Sequence, residues 1–588
     1  MKTLFTIILL IAYSLPLNAT IHYVSHNGSN IPPYLTWGTA ADSIQSAINV
    51  CAPGDTVLVA NGVYYENLII DSMLTLIGSS MDSTVIDGRG LGDYTIVFNA
   101  SGSIENFNIY GKGIGASGTR VIRSMTLYTL IEIRDCKLSE AGVGVSMVGG
   151  DIIADNLLIK NTTRGFNLFG ESDNYISNCI IILDNQNSQG VNIGFAPDVN
   201  SYITNNILLF AGSNNDLTYG IALGAPREVH ISNNLISGFS NNIFTDDPSD
   251  TVYIKNNVLI HQFSFSPGPA SILASGDWLS VSNNIFSSNK KGIDGDALVK
   301  SNYNLFWDNL TDLEGLVYGD SDRVANPMFI KDTLPNPQLD FDYHLQAYSP
   351  GIDKGDPNIL DVDGTRSDIG MFGGPYGETY TYQNLAPRAP VNLSALVDSG
   401  EVTLTWNRNS EADTAYYNVY KDTTENFIIS PAKLVGSPSD TFFTETIPQQ
   451  IESVYYKITA VDNEGNESGP SEEVKINITS VDEYIPIVKD YYLYQNYPNP
   501  FNPTTKIGYK LKERSYVKLI VYDIKGELVQ VLVNKEQEAG YYDVEFTGKN
   551  LSTGIYLYRI EIIGKGNLPD GKAGIPKFSD MKKMILVK

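Results

Sequence analysis

The chain is predicted to be mainly β: a right-handed parallel β-helix followed by two smaller β-sandwich domains. Three observations carry that expectation. A short core keeps returning, as Ile176-Ser177-Asn178-Cys179-Ile180, Ile203-Thr204-Asn205-Asn206-Ile207, Ile231-Ser232-Asn233-Asn234-Leu235, Ile254-Lys255-Asn256-Asn257-Val258 and Val281-Ser282-Asn283-Asn284-Ile285. From Cys179 the equivalent positions are Asn206, Asn234, Asn257 and Asn284, giving steps of 27, 28, 23 and 27 residues. A fixed core in repeats of variable length marks a solenoid. Each core alternates like a strand and runs into a polar turn, with no helical period between repeats. Finally, 588 residues exceed one ordinary domain.

Met1 to Ala19 carries Lys2, an apolar run from Leu4 to Leu15, and Leu17-Asn18-Ala19. This is the layout of a secretory signal peptide, the run being short for a membrane span. The expected route is export to the periplasm, then the outer-membrane surface or the extracellular space. The formal charge of −26 argues against a nucleic-acid partner, which wants a basic footprint.

After the leader, Asp42 or Ser43 is placed to cap a short helix whose Ile44, Ala47 and Ile48 share one face. Coils follow at Ile104-Glu105-Asn106-Phe107, Ile133-Arg134-Asp135-Cys136 and Ile153-Ala154-Asp155-Asn156, and a last one at Ser301-Asn302-Tyr303-Asn304. Cys136 and Cys179 are expected in one column with the Asn156 coil between them. Two strand spacings, roughly 10 Å, exceed the ~7 Å that a disulfide spans, so free thiols are expected. The closing phrase runs from Ser349-Pro350-Gly351 through Asp361-Val362-Asp363-Gly364 to Asp368-Ile369-Gly370. The opening run, with Pro53-Gly54-Asp55, Gly62-Val63-Tyr64-Tyr65-Glu66-Asn67 and Leu74-Thr75-Leu76-Ile77-Gly78, resembles the start of pectate-lyase-like β-helix proteins, in which a helix plugs the open end of the solenoid. Terminal repeats need such a cover over their exposed core.

Beyond Pro387 the pattern changes. Val402-Thr403-Leu404-Thr405-Trp406 and Tyr455-Tyr456-Lys457-Ile458 alternate as strands, and this stretch resembles a fibronectin type III sandwich. Tyr494-Gln495-Asn496-Tyr497-Pro498-Asn499-Pro500-Phe501-Asn502-Pro503, with Val521-Tyr522-Asp523-Ile524-Lys525-Gly526, Gly554-Ile555-Tyr556-Leu557-Tyr558 and the final Lys582-Lys583-Met584-Ile585-Leu586-Val587-Lys588, resembles the C-terminal sorting domain of the type IX secretion system. That resemblance implies export across the outer membrane, usually with removal of the domain and surface attachment or release, and makes the secretion machinery a partner. The expected division is signal peptide 1–19, β-helix 20–377, fibronectin type III-like 386–479, linker 480–490 and sorting domain 491–588, in a monomer.

Stacked coils turn sequence positions into columns. The column Asn178, Asn205, Asn233, Asn256, Asn283 is expected to be a structural amide ladder. Asp135 and Asp155 are placed in the same column on neighbouring coils; there two carboxylates repel, so one pKa rises or a cation sits between them. In β-helix hydrolases and lyases such pairs do acid–base work or hold calcium. Lys160 and Arg164, with Glu140 aligned beside Lys160, are the candidates for the base that a lyase needs; an exposed ion pair is the plainer reading. Three residues before the first Asn lie Tyr175, Tyr202, His230 and Tyr253, predicted to face outward while Ile176, Ile203, Ile231 and Ile254 fill the core. Such an aromatic stripe can stack on sugar rings, with Ser177, Thr204, Ser232 and Lys255 alongside; alternatively it stiffens the sheet. Asp361, Asp363 and Asp368 around Gly364 have a spacing compatible with a calcium loop but lack its final glutamate. The functional expectation is a surface or released protein that binds or processes polysaccharide. The alternatives are a polysaccharide lyase or glycoside hydrolase, and a non-catalytic adhesin or stalk.

Overall fold

The computed structural model describes residues 19–113, 118–170, 173–194, 196–212, 217–224, 226–245, 251–262, 269–274, 278–296, 298–333, 339–398, 400–446, 453–477, 490–564 and 577–587. The expected signal peptide (save Ala19) and nearly all of the expected linker lie outside them. The chain divides into two compact units, residues 1–385 with 410–413, and 386–409 with 414–588. Among the described residues no helix is long and apolar enough to cross a membrane.

The first unit is a parallel β-solenoid. Its first sheet has twelve described strands, running from Ile21–Val24 and Asp55–Val59 through Asn174–Ser177, Pro226–Ser232 and Thr251–Lys255 to Val299–Asn302. The second sheet has twenty-one. It consists of two rows of strands joined where Lys137–Val148 and Leu158–Phe169 run through both. Each strand pairs in parallel with its counterpart one coil on, so one side chain per coil stacks into a column. Leu76, Ile104, Ile133, Ala154, Ile176, Ile203, Ile231, Ile254 and Val281 form one such column, all of it buried.

The N-terminal cover forms as expected. Helix α1, Ile44–Ile48, buries Ile44, Ala47 and Ile48, and Ser43 is its cap. The Glu66 carboxylate accepts the free N–H groups of Ile44 and Gln45 at 2.7 and 2.9 Å, which sets a negative charge at the positive end of the helix.

The asparagine pairs divide their labour in a way the sequence did not reveal. The first of each pair bends the chain in the left-handed region, with φ of 55° at Asn178, 57° at Asn205, 58° at Asn233, 53° at Asn256 and 59° at Asn283, which Asn tolerates better than most residues. The second is the buried ladder. Asn206 Nδ2 donates to Asn234 Oδ1 at 3.0 Å, Asn234 to Asn257 at 3.0 Å, Asn257 to Asn284 at 2.9 Å and Asn284 to Asn304 at 3.0 Å. Each Oδ1 also accepts the backbone N–H of the coil before it, as from Asn206 to Asn234 at 2.9 Å. The self-bonded row is therefore displaced by one residue from the column expected to form it. In the earlier coils Phe107, Cys136, Leu157 and Cys179 hold the same place, fully or almost fully buried. The three thiols are free.

The closing phrase does not sit on the end of the solenoid. The described residues 325–333 and 339–382 form a strap along its flank, where Phe329, Tyr343, Leu345 and Ile369 cluster with Leu209, Leu235, Val258, Ile285 and Leu305 from the outer face of the second sheet. The first asparagines hold it there. Asn233 Nδ2 donates to the carbonyls of Met371 and Gly373 at 2.8 and 2.6 Å, Asn256 Nδ2 to that of Asp368 at 2.9 Å, and Asn283 Oδ1 accepts the Asp356 N–H at 2.7 Å.

The second unit holds antiparallel sheets. Ser394–Asp398, Glu401–Thr405 and Phe442–Thr446 form one of three strands, and Leu434–Gly436, Thr414–Asp422, Ser453–Asp462 and Val474–Asn477 one of four. They enclose Trp406, Tyr417 and Tyr456 and resemble fibronectin type III-like sandwiches. A second pair follows, of Tyr492–Leu493, Thr504–Leu511 and Gly540–Thr547, and of Leu528–Gln537, Ser515–Asp523, Gly554–Gly564 and Phe578–Leu586. The proline-rich segment is fastened to it: Asn496 N–H donates to the Tyr558 hydroxyl at 2.7 Å and Asn499 Oδ1 accepts the Ile585 N–H at 2.7 Å.

Asn234→Ala is expected to cost about 3 kcal/mol or more, because it strands several buried donors and acceptors at once. Asn205→Gly, at a left-handed turn that glycine adopts freely, is expected to cost under about 1 kcal/mol by the same scale. Chemical denaturation of the two variants checks the contrast.

Candidate functional site

The outward face of the first sheet carries the aromatic column. Tyr175, Tyr202, His230 and Tyr253 stand opposite one another on four successive strands. Their ring centroids are 5.2, 4.9 and 4.8 Å apart and their planes within 6°, 5° and 15° of parallel. The rings thus face each other, and the column presents edges, hydroxyls and imidazole N–H to the outside. Tyr175 is 38% exposed. Burial, then the nearby Asp173, pushes the Tyr175 hydroxyl above its ordinary pKa; burial and Glu228 do the same at Tyr202. His230 Nε2 lies 2.8 Å from Glu228 Oε1, and Lys255 Nζ lies 5.0 Å from the Tyr253 ring centre. Ser177, Thr204, Ser232, Lys255 and Ser282 form the parallel polar column two residues on.

One more platform extends this face. Trp278, on the strand after Tyr253, is 55% exposed, and Lys300 Nζ stands 6.0 Å from its ring centre. Its signal in the sequence was a lone tryptophan two residues before the repeated core's Ser280-Val281 pair.

The expected acid pair is not brought together in one column. Ile133 stands opposite Ala154, and Arg134 opposite Asp155, because Ala154 rather than Ile153 takes the core position. Asp135 belongs with Asn156 and Asn178 in the left-handed turn, while Asp155 lies opposite Ser177 on the outward face. Each carboxylate has neutral partners instead of an acid neighbour. Asp135 accepts Asn156 Nδ2 at 2.5 Å, and Asp155 accepts Asn178 Nδ2 at 2.6 Å and the Ser177 hydroxyl at 2.7 Å.

The expected Glu140–Lys160 alignment is also shifted by one. Ser139 lies opposite Lys160, and Glu140 turns with φ of 60° to approach Arg89 Nη1 at 3.8 Å. Lys160 is exposed. It lines a groove of about 420 Å³ with Leu158, Ile180, Ile182, Asp184 and Leu339. Arg164 is half-buried on the next row of strands.

Asp361, Asp363 and Asp368 do not bring ligand oxygens within 4.8 Å of one another. Asp361 accepts the N–H groups of Asp368 and Gly374, Asp363 the N–H and hydroxyl of Thr365, and Asp368 the N–H of Asp353 and the Tyr382 hydroxyl. Donors within the strap thus already hold the oxygens a cation would take. Desolvation raises Asp361 and lifts Asp368 to about 6, whereas its bonds to Thr365 lower Asp363. Elsewhere in this unit His22, Cys51 and Asp55 offer converging ligand atoms. However, burial pushes the Cys51 thiol up to about 12, and Asp55 already accepts the N–H groups of Thr20 and Ala52 and faces the His22 ring.

Fold and face together define a β-solenoid protein with appended antiparallel β domains. Residues 495–566 match the family model of the secretion system C-terminal sorting domain, which makes the protein one delivered by type IX secretion to the cell surface or beyond. An amylopullulanase of Thermoanaerobacter thermohydrosulfuricus is 32% identical over 109 residues, 18% of this chain and 7% of that protein; the chain thus spans a small fraction of that relative's length. Among solved structures, an Fn3-like protein from Clostridium thermocellum is 28% identical over 17% of this chain and 99% of its own, with a TM-score of 0.14. Pectin methylesterase from carrot is 11% identical over 54% of this chain and 91% of its own, with a TM-score of 0.27.

Asp368 provides a pH test of the strap. Its folded pKa of about 6 lies above the ordinary 3.8, so the folded state binds the proton more tightly. Stability is then lost as pH rises from about 4 through about 6 and the buried carboxylate ionises. Relative to Asp368→Asn, the native chain is expected to show a melting temperature that falls more steeply between pH 4 and 7. Thermal melts of both proteins across that range check it.

Proposed function

We propose that this is an extracellular polysaccharide-binding protein that holds glycan along the outward face of the first sheet. The observation that supports this best is the in-register column Tyr175–Tyr202–His230–Tyr253 with its parallel row of hydroxyls and Lys255. Because the rings stack on one another, sugar is held chiefly by hydrogen bonds to phenol and imidazole edges. Face-on stacking is left to the column's ends and to Trp278. Aromatic side chains with a polar tip suit such a surface, since they combine apolar area with a hydrogen-bonding group. The right-handed winding that parallel crossovers nearly always take, the domain limits 20–377, 386–479 and 491–588, and a monomeric state belong to the same reading. The fibronectin type III-like module serves as a spacer.

A second reading is a polysaccharide lyase or glycoside hydrolase. It is favoured by one observation, the groove whose largely apolar lining includes both Lys160 and Asp184. The two readings separate on a polysaccharide panel. Retention on glycan columns without new reducing ends or unsaturated-product absorbance supports binding, and product formation abolished by Lys160→Ala supports the enzyme. Tyr202→Ala and Trp278→Ala are each expected to weaken retention roughly tenfold, about 1.4 kcal/mol, with the melting temperature nearly unchanged. Retention equal to the native protein in both variants contradicts the aromatic-face reading.

A further inference from the structure

A second outward column runs on the other sheet. Tyr94, Arg120, Val143, Arg164, Gln189 and Tyr219 lie opposite one another on successive coils. The backbone beneath it is pinched. Glycine follows the column residue on four of these coils, and a Cβ at Gly144, Gly165, Gly190 or Gly220 would come within 2.7, 2.5, 2.5 and 2.5 Å of the next coil's carbonyl oxygen. The column is therefore mounted on a rigid floor. Val143, between the two arginines, is buried.

The two guanidinium groups lack what arginine ordinarily has. The Nε atoms of both Arg120 and Arg164 are enclosed without a hydrogen-bond partner, and so is Gln189 Oε1 on the adjoining coil. Arg120 spends one Nη1 donor on the Gly118 carbonyl, and its guanidinium carbon lies 5.7 Å from the Tyr94 ring centre, with that of Arg123 at 4.2 Å over the same ring. Among the described residues no carboxylate pairs with Arg120 or Arg164, in a chain with 66 acidic residues against 40 basic ones. Arg89, nearby in sequence, is by contrast paired with Asp87 and approaches Glu140. Burial, then the charge of Arg120, pushes the Arg164 guanidinium below its ordinary value. An enclosed charged donor without an acceptor is costly, and two like charges two strand spacings apart, about 9.6 Å at the backbone, add to that cost. An oxyanion between them removes both penalties, since guanidinium N–H groups match its geometry in pairs.

We propose that Arg120 and Arg164, with Gln189 beside them, form a binding site for the oxyanion of an acidic saccharide, either a sulfate ester or a carboxylate. Gln189 Oε1 accepts from a hydroxyl next to the anionic group. This site lies on a different sheet from the aromatic column and stands or falls separately from it.

Isothermal titration of the full chain with a carrageenan tetrasaccharide, tetragalacturonate and cellotetraose tests it. The native protein is expected to bind at least one charged probe and to bind cellotetraose at least tenfold more weakly. Binding of carrageenan alone assigns sulfate, of tetragalacturonate alone carboxylate, and of both a site that reads charge. Arg120→Gln with Arg164→Gln is expected to weaken the charged probe at least tenfold. Without ligand the double variant should melt no lower than the native chain, because it removes a repulsive pair. Arg164→Lys, which keeps the charge but not the fork, is expected to lie between the two, and Arg89→Gln, at an arginine already paired with Asp87, to bind the charged probe unchanged. No binding of either charged probe by the native chain, or native affinity in the double variant, overturns the proposal.

Discussion

The interaction on which the solenoid depends is the hydrogen bond from one buried asparagine amide to the next, coil upon coil. The amide oxygens of Asn234, Asn257, Asn284 and Asn304 each take a backbone N–H and the Nδ2 of the coil before, and that of Asn206 takes the Cys179 N–H. Each amide nitrogen reaches a carbonyl across the turn, as Asn234 Nδ2 does to Ile203 at 2.9 Å. A turn inside a dry core leaves backbone groups that water cannot satisfy, and the amide side chain supplies two N–H donors and a carbonyl acceptor together. The ladder therefore tolerates no slip. A shift of one residue would bury the left-handed asparagine and eject the amide, while turning every strand side chain to the wrong face.

Everything carried on the surface inherits that register. The four rings of the aromatic column meet nearly parallel only because their backbones are held one strand spacing apart. The pairing of the first sheet is continuous from Asn174–Ser177 to Thr251–Lys255. The first asparagines have a second use. Their side chains are aimed away from the core, and at Asn233, Asn256 and Asn283 they become the hooks for the strap. One dipeptide thus closes the turn inside and fastens the flank outside. Toward the N-terminus, where the buried place holds Phe107, Cys136, Leu157 and Cys179, the coils rely on apolar packing instead, and no described residue of the strap hooks onto their turns.

The repeat was legible because it is made of residues whose chemistry is unambiguous. Isoleucine marks the core, and asparagine marks the left-handed turn. The helix with its serine cap and the outward facing of Tyr175, Tyr202, His230 and Tyr253 followed from the same alternation. What escaped was register within the turn. Two adjacent asparagines look alike, and alternation cannot be counted through a left-handed bend. In the Asp155 coil the core position falls to Ala154 beside the larger Ile153, so the aspartates were aligned one residue out. The strap's position has a signal in the sequence. Ile180-Ile181-Ile182 and Ile207-Leu208-Leu209 are apolar on both faces, which requires a cover outside the sheet as well as a core within. The unpaired arginines had no such signal, since only the assembled columns show that no acid among the described residues reaches them.

The account's central claim is that the second asparagine of each pair, rather than the first, holds the coils together through buried hydrogen bonds. Amide hydrogen exchange on the full chain tests it most directly. The backbone N–H groups of Cys179, Asn206, Asn234, Asn257 and Asn284, each bonded to an asparagine oxygen one coil on, are predicted to be among the slowest to exchange, opening only with the solenoid as a whole. Exchange at these five positions as fast as at the exposed turns would contradict it.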